Sequence, residues 1–282
     1  MSSLKRLLAV LDLFTEAAPQ WTPEEIAERL GLSRPTGYRY VRELVAAGLL
    51  FRASASRYTL GPRIIELDYQ IRRVDPVSRA GQAAMSDLAE RTGCSVTLAA
   101  IYGDRILTLH LEQGAEALDI SYGRGRPLPL FRGTPSRTLL AFLPRGRQRQ
   151  LFERHREEAA AIGRDWEAFQ AELQAIRRAG YGVSVGELDP HNAGIAVPVL
   201  DDDGQVLGSL CLVLPRQRLE FVNVERLVSL AREAAARMTH LIRHDAADAR
   251  AASEAPARAQ PSARSRAAHR APRGGIARQR PR

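Results

Sequence analysis

The chain of 282 residues has a formal net charge of +9, is 45% hydrophobic and contains two cysteines. This composition predicts a soluble globular protein of one or two domains and excludes a small disulfide-stapled fold. No apolar run approaches the roughly 18 residues that a membrane-spanning helix needs. Asp12 and Glu16 interrupt the first apolar run, which argues against a secretory signal, so we expect a cytoplasmic protein without a membrane partner.

Two helices are predicted in the first 31 residues. Ser3 is expected to cap a helix over Leu4–Glu16, because apolar residues recur there at spacings of three and four. The run Thr22-Pro23-Glu24-Glu25 has the form of a capping box at the start of a second helix. Gly31 should end this helix, because glycine accepts the left-handed conformation of a helix C-terminus.

A third helix follows almost at once, as in a helix-turn-helix. Ser33 is expected to cap it, Pro35 lies in its first turn, and Gly48 ends it. Its predicted buried positions are Tyr38, Val41, Leu44 and Val45.

The next segment predicts a β-hairpin and then a hinge. The hairpin strands are expected at Leu49–Phe51 and Arg57–Leu60, with a small basic turn between them. Gly61-Pro62 breaks the chain before an amphipathic helix over Arg63–Arg73. Asp75-Pro76 then starts another helix, so residues 61–76 are interpreted as the hinge between two domains.

From Cys94 the pattern changes to strands around a helical insert. Strands are predicted for SVTLAAIY, RILTLHLE and ALDISYG, and later for Tyr181–Leu188, Ile195–Leu200 and Val206–Leu214. Helices are predicted from Thr134, near residues 145–159 and 165–179, and over residues 222–243. This order describes an α+β domain with a mainly antiparallel sheet.

Residues 246–282 form a predicted disordered tail. They hold nine arginines and two acidic residues, so most of the net charge lies there. The tail has almost no large apolar side chain and cannot bury enough surface to offset its ordering entropy. It is either a solubilising extension or a source of sequence-independent affinity for DNA.

Local charge placement makes residues 22–50 a candidate DNA reader. Acidic residues lie on the second helix and basic residues on the third, which is followed by the basic hairpin as a wing. Tyr38 is expected either to contact DNA or to lie in the core. The first turn, including Gly37, is expected to enter the major groove, where Arg34 could pair with a guanine edge. The candidate DNA-binding residues are Ser33, Arg34, Pro35, Thr36, Tyr38, Arg39, Arg42, Arg52 and Arg57.

With these motifs the chain resembles the IclR family of bacterial transcriptional regulators over residues 3 to about 243. The motifs on which this resemblance rests include IAERLGLSRPT, AGLL, YTLG, RTLLAFLP, GYGVS and IAVPV. The resemblance implies a winged helix-turn-helix over residues 1–61, a linker helix over 62–76 and an effector-binding, oligomerising domain over 77–245. That last domain is expected to be GAF-like, an antiparallel sheet with helices.

The resemblance also implies a ligand-responsive, sequence-specific regulator, more often a repressor, of a catabolic operon. It implies a homodimer or dimer of dimers on a palindromic operator, in the cytoplasm and on the nucleoid when bound. The expected effector is a small organic molecule, carboxylate or aromatic, and no cofactor or metal is expected.

The effector is expected between the sheet and the segment Leu130–Leu140. Thr134 is expected to cap the helix, which would leave the backbone N–H groups of Ser136 and Arg137 to face a ligand carboxylate, with Arg132 just before it. The alternative is an ordinary capped helix with a surface arginine. The family's strand anchors for a small oxoacid are changed here, which predicts a roomier, less polar pocket. The candidate effector-binding residues are Arg132, Gly133, Thr134, Ser136, Ser184, Gly194, Cys211 and Val213.

Two other functions are alternatives to a ligand-responsive regulator. An enzyme on the C-terminal domain would have to use Cys94 or Cys211 with His110, His191 or Glu187, but no nucleophile motif or metal-ligand spacing surrounds them. The chain is therefore predicted not to be an enzyme. A non-specific architectural DNA binder that uses the basic tail is the other alternative.

Overall fold

A helix-turn-helix with a hairpin wing forms the first part of the chain. The computed structural model describes residues 2–116 and 118–254. Helices α1 to α3 and strands β1 and β2 are, in order, Ser3–Leu8, Pro23–Arg29, Arg34–Ala46, Leu50–Arg52 and Tyr58–Leu60. Both reciprocal hydrogen bonds of the capping box between Thr22 and Glu25 are present, and Gly31 has a φ of 61°. The second helix therefore starts and ends where its sequence predicts.

The first helix is shorter than predicted. It ends at Leu8 and a 3-10 turn over Leu11–Leu13 follows, whereas one helix to Glu16 was expected. The indole Nε1 of Trp21 donates to the carbonyl of Leu13 at 2.9 Å, which takes that acceptor from a helical ladder. The cap is Ser2, whose hydroxyl accepts from the Lys5 amide. Trp21 also pairs through its backbone with Tyr58 of the wing.

The buried face of α3 differs from the prediction by two residues. Tyr38 is 52% and Val45 37% exposed, whereas Tyr40 is buried and shares a hydrogen bond of 3.0 Å with the Ser3 hydroxyl. Gly37 is also buried, against α2 rather than toward the groove side. The core of this region consists of Val10, Ile26, Tyr40, Val41, Leu44 and Leu50.

Two helices follow the wing. Helix α4 spans Arg63–Val74, and α5 spans Pro76–Thr92 with Asp75 as its N-cap. No residue of α4 is buried, whereas one face of α5 lies in the core of the following domain. The segment predicted as a hinge thus contains a helix with an unburied apolar face.

The C-terminal domain is built on a six-stranded antiparallel sheet in the order β5-β4-β3-β8-β7-β6. Strands β3 to β8 are, in order, Ser95–Tyr102, Arg105–Glu112, Pro127–Leu128, Gly182–Val185, Asn192–Leu200 and Val206–Pro215. The remaining helices α6 to α10 are Thr134–Phe142, Arg145–Arg154, Arg156–Ala160, Trp166–Ala179 and Val224–Glu254.

Helices cover both faces of this sheet. One apolar core joins the sheet to α5 and α10 and includes Met85, Leu98, Leu212 and Met238. The other joins it to α6, α7 and α9 around Phe131 and Phe169, whose rings meet edge to face at 5.5 Å. The domain has the α+β class that the alternating strand patterns predicted.

Two predictions for this domain are wrong. The run ALDISYG forms no strand over its described residues 118–123 because side chains take its backbone groups. Asn192 Nδ2 donates to the Asp119 carbonyl at 2.9 Å, and Asp189 accepts from the Ser121 amide at 3.3 Å. The last helix continues to Glu254 instead of ending near residue 243, as the helix propensity of its alanines and arginines favours. The rest of the predicted tail, 255–282, lies outside the described residues.

Candidate DNA-reading surface and candidate effector pocket

The predicted DNA-binding residues share one surface. A groove between α3 and the wing is lined by Pro35, Thr36, Tyr38, Arg39, Arg42 and Arg52, together with Val41, Val45 and Tyr58. Ser33, Arg34 and Arg57 are also exposed. Ser33 is the N-cap residue of α3, although its side chain makes no capping hydrogen bond. Because Ser33, Arg34 and Pro35 are exposed, the start of α3 is free to enter the major groove of DNA.

The arginines of this surface hold weak contacts that DNA can replace. Arg57 pairs with Glu25 at 3.3 Å, Arg42 with Glu43 at 3.4 Å, and Arg39 lies 5.6 Å from the ring of Tyr40. Arg52 donates from Nε to the Ala55 carbonyl at 3.1 Å and so closes the wing turn. Exposed ion pairs contribute only about 0–1 kcal/mol, so exchanging them for phosphate contacts costs little.

Two contacts between α2 and α3 were not anticipated from the sequence. The Tyr38 hydroxyl donates to the Glu24 carboxylate, and this hydrogen bond holds the pKa of Glu24 below its usual value. At Gly37 an added Cβ would lie 2.8 Å from the Ala27 Cβ and 2.9 Å from the Pro23 carbonyl oxygen. Glycine at this position therefore sets the close approach of the two helices.

The candidate effector pocket lies between the sheet and the start of α6. The space between its lining atoms is about 460 Å³, which includes a part that is open to solvent. Four of the predicted residues line it: Ser184, Gly194, Cys211 and Val213. The lining that the sequence did not indicate consists of Thr97, Thr108, Ile120, Tyr122, Leu128, Pro135, Glu187, Leu188, Asp189, Asn192 and Ala193.

The other four predicted effector residues lie outside this lining. Arg132 is exposed, whereas Gly133, Thr134 and Ser136 are buried. Gly133, with a φ of 79°, is the N-cap of α6, so Thr134 is not the cap and begins the helix instead. An added Cβ on Gly133 would lie 2.6 Å from Leu188, which shows how tightly the loop after β6 covers this turn.

The start of α6 is occupied by the protein itself and is not open to an anion. The Gly133 amide donates to Glu187 Oε2 at 2.9 Å, and the Thr134 amide donates to the Ser184 hydroxyl at 3.1 Å. Pro135, which lines the pocket, has no N–H group. The Arg137 amide, one of the two predicted anion donors, donates to the Gly133 carbonyl at 3.2 Å. A carboxylate of the chain thus lies at the start of α6, because the loop after β6 folds back onto the helix.

A buried arginine holds that carboxylate in place. The Arg137 side chain is 5% exposed, and its Nη2 donates to Glu187 Oε1 at 2.7 Å while its Nη1 lies 3.1 Å from Glu172 Oε1. Two carboxylates thus share one buried guanidinium. Removing either acid would leave the arginine charge less compensated, a costly change in a buried site.

The pocket thiol has no features of a nucleophile. Burial raises the pKa of Cys211 to about 12, and burial also raises the pKa of Cys94. A thiol with such a pKa carries almost no thiolate near neutrality. Within residues 2–116 and 118–254 no group of three His, Cys, Asp or Glu side chains is arranged to hold a metal ion.

The loop that covers the pocket contacts the N-terminal part of the chain. This covering loop, residues 118–126, contributes Ile120 and Tyr122 to the pocket. Arg124 Nη2 donates to Asp68 Oδ1 of α4 at 2.7 Å, and Arg126 Nε donates to Glu16 Oε1 at 2.8 Å. The pocket and the linker helix are therefore joined by side chains of one loop.

Comparison with known proteins agrees with this arrangement. The IclR helix-turn-helix domain matches residues 3–54, and the C-terminal domain of bacterial IclR transcriptional regulators matches residues 71–240. The regulator KipR of Bacillus subtilis is 25% identical over 209 residues, 73% of this chain and 82% of that protein. The Pca regulon regulatory protein of Pseudomonas putida is 29% identical over 216 residues, 74% of this chain and 73% of that protein.

Two solved structures have the same fold. An IclR transcriptional regulator from Alicyclobacillus acidocaldarius is 25% identical with a TM-score of 0.70, covering 85% of this chain and 98% of that one. An IclR homologue from Microbacterium hydrocarbonoxydans, in complex with 4-hydroxybenzoate, is 25% identical with a TM-score of 0.69, covering 86% of this chain and all of that one.

A winged helix-turn-helix joined to an α+β ligand-binding domain defines a DNA-binding transcriptional regulator rather than an enzyme. The chain belongs to the IclR family of bacterial transcriptional regulators. No helix over the described ranges 2–116 and 118–254 is long and apolar enough to cross a membrane.

Proposed function

We propose that the protein represses a catabolic operon. It dissociates from DNA, or changes its arrangement on DNA, when a small carboxylate or aromatic metabolite binds the pocket. The observation that carries this proposal is the joint presence of the arginine-lined groove and the pocket. The groove offers the donors of Arg39, Arg42 and Arg52 beside the exposed start of α3, and the pocket is lined by both apolar and polar groups. The 4-hydroxybenzoate complex of the Microbacterium homologue supports a small aromatic effector.

The proposed assembly is a homodimer, or a dimer of dimers, on a palindromic operator. Large apolar side chains are exposed along α1 and α4, namely Leu4, Leu8, Ile65, Leu67, Tyr69, Ile71 and Val74. Exposed apolar side chains at several positions of the same helices favour an interface between copies of the chain. A two-fold axis through these helices would place two copies of α3 on two half-sites of the operator.

The division of labour along the chain follows the sequence interpretation. Residues 1–61 would read DNA, 62–76 would form the linker, and 77–245 would bind the effector and oligomerise, in the cytoplasm and at the nucleoid. Ser33, Arg34 and Thr36 are assigned to base edges and nearby phosphates, and the arginines of α3 and the wing to phosphates. Switching would follow from unequal affinity of the effector for two arrangements of the dimer.

Selection from randomised DNA duplexes tests the reading function. The full-length protein should enrich a palindromic site, and Arg34→Ala should lower affinity for that site by about 1–3 kcal/mol and relax preference at one base pair. Arg145→Ala, which removes an arginine at the start of α7, is the matched control and should leave the selected sequence unchanged. Failure to enrich any sequence would contradict the proposal.

Truncation after Asp245 separates this function from architectural binding by the basic tail. A specific regulator should keep its preferred site and lose mainly affinity for unrelated DNA, with a smaller dependence of affinity on salt. Loss of all DNA binding on truncation would favour the architectural alternative.

A further inference from the structure

The groups that face the pocket are strongly biased toward hydrogen-bond acceptors. Glu187 and Asp189 both line it, and no lysine, arginine or histidine is among its described lining residues. Arg137 is buried and pairs with both Glu187 and Glu172, and Glu172 also pairs with Arg164. An incoming carboxylate would thus meet the carboxylates of Glu187 and Asp189 and no cation in the described lining.

Backbone donors do not offset this charge. The Gly133 amide is bonded to Glu187, the Thr134 amide to Ser184, and Pro135 has no amide hydrogen. The side-chain amide of Asn192 already donates to the Asp119 carbonyl at 2.9 Å. The remaining side-chain donors of the lining are hydroxyls and a buried thiol, which are weaker anion ligands than a guanidinium or a helix N-terminus.

Much of the remaining lining is apolar. Ile120, Tyr122, Leu128, Leu188 and Val213 supply apolar side chains. Gly194 keeps its wall of the pocket from being overfilled, since a Cβ there would lie 3.0 Å from Thr134 Cγ2 and 3.2 Å from Cys211 Sγ. A molecule with an apolar body fits these walls better than a small, fully polar acid does.

We infer that the effector carries no free carboxylate: it is a molecule with an apolar body and hydroxyl, amide or ammonium donors that bond Glu187 and Asp189. This inference rests on the proposed effector-binding function and names its ligand class. Glu187 occupies the position at the start of α6 where an effector carboxylate was expected. The chain's own acid takes the anion position, so the ligand must supply donors.

Calorimetry with matched probes tests this ligand class on the full-length protein. Three pairs are used, each an aromatic acid and its amide: 4-hydroxybenzoate with 4-hydroxybenzamide, and the corresponding phenylacetic and cinnamic pairs. At least one amide should bind, and each acid should bind more than about tenfold more weakly than its amide, because like charges in proximity cost several kcal/mol. An acid that binds as tightly as its amide, or binding by none of the amides, would overturn the inference.

Two variants assign the effect to the named carboxylates. Glu187→Gln removes the charge and keeps one of the two oxygens, which accept separately from the Gly133 amide and from Arg137, and Asp189→Asn removes a charge that is not paired with Arg137. Each variant should reduce the ratio of amide affinity to acid affinity, whereas Glu90→Gln on the exposed side of α5 should leave this ratio unchanged. An unchanged ratio in both variants would overturn the assignment.

A separate readout distinguishes this inference from the regulatory function. If the amide binds but affinity for the selected DNA site does not change, the ligand class stands and the proposed effector role fails. If DNA affinity responds to the acid and not to the amide, the ligand class fails and the effector role stands.

Discussion

Arg124 and Asp68 join the loop that covers the pocket to the linker helix α4. Their Nη2 and Oδ1 atoms are 2.7 Å apart, and Arg72 donates to the second oxygen of Asp68 at 2.7 Å. Burial raises the pKa of Asp68, but the hydrogen bonds from Arg124 and Arg72 outweigh it and leave the pKa below its usual value. Movement of the covering loop would therefore change the contacts of α4, the helix that leads to the DNA-reading region.

We expect Asp68→Asn to uncouple the two regions. Loss of the charge should speed hydrogen exchange in residues 118–126 and change DNA affinity in the absence of effector, with the pocket lining left intact. Glu66→Gln is the control, because Glu66 pairs at 2.5 Å with Arg63 of its own helix and does not reach the loop. Equal exchange rates in the two variants would contradict a coupling role for Asp68.

Gly37→Ala should destabilise the helix-turn-helix. Its Cβ would lie 2.8 Å from that of Ala27, and overpacking of this kind costs about 1–3 kcal/mol. Thermal unfolding should show a lower Tm and DNA binding should weaken. In Gly146→Ala, also within a helix but with open space around the added Cβ, stability should rise by about 0.5–1 kcal/mol. An unchanged Tm for Gly37→Ala would mean that α2 and α3 can move apart without a loss of stability.

Ile65→Asp should dissociate the dimer without unfolding the subunit. Ile65 is 73% exposed in the single chain, so a charge there costs the monomer little but opposes burial against a second copy. Light scattering after size exclusion should show a smaller mass for this variant. Phe221→Asp is a control of similar exposure, and an unchanged mass for both variants would place the interface elsewhere.

Neither cysteine should react in the native protein at pH 8. The pKa of Cys211 is raised to about 12 by burial, and that of Cys94 is raised for the same reason. A chromogenic disulfide reagent should titrate both thiols only after denaturation. Rapid reaction of one thiol in the native state would show that the segment around it opens.

The stabilising effect of Asp104 should depend on acid pH. Hydrogen bonds from Arg154 and Arg147 lower the pKa of Asp104 from 3.8 to about 2. A lowered folded-state pKa stabilises the fold above the unfolded-state value, and the effect is lost as the pH falls from about 4 toward 2. The Tm difference between wild type and Asp104→Asn should be constant from pH 7 to 5 and shrink below pH 4. A Tm difference that stays constant down to pH 2 would contradict a stabilising role for the ionised Asp104.

Much of the fold was predictable because local signals and the final structure agree. The capping box at Thr22, the break at Gly61-Pro62 and the cap at Asp75 act within one turn of the chain, so neighbouring residues suffice to place them. Strand alternation likewise located β3, β4, β7 and β8 to within about three residues, because one or both faces of each strand are buried.

The sequence by itself determined the DNA-reading element, since caps, charge and wing are encoded in consecutive residues. Only the tertiary structure decided which groups line the pocket and which of them are paired with one another. Glu187 lies 54 residues after Gly133 yet accepts from its amide, and Arg124 reaches Asp68 across 56 residues. Such contacts depend on how the loops fold over the sheet, so local periodicity and capping cannot reveal that a carboxylate fills the anion position. The ligand class follows from that long-range contact.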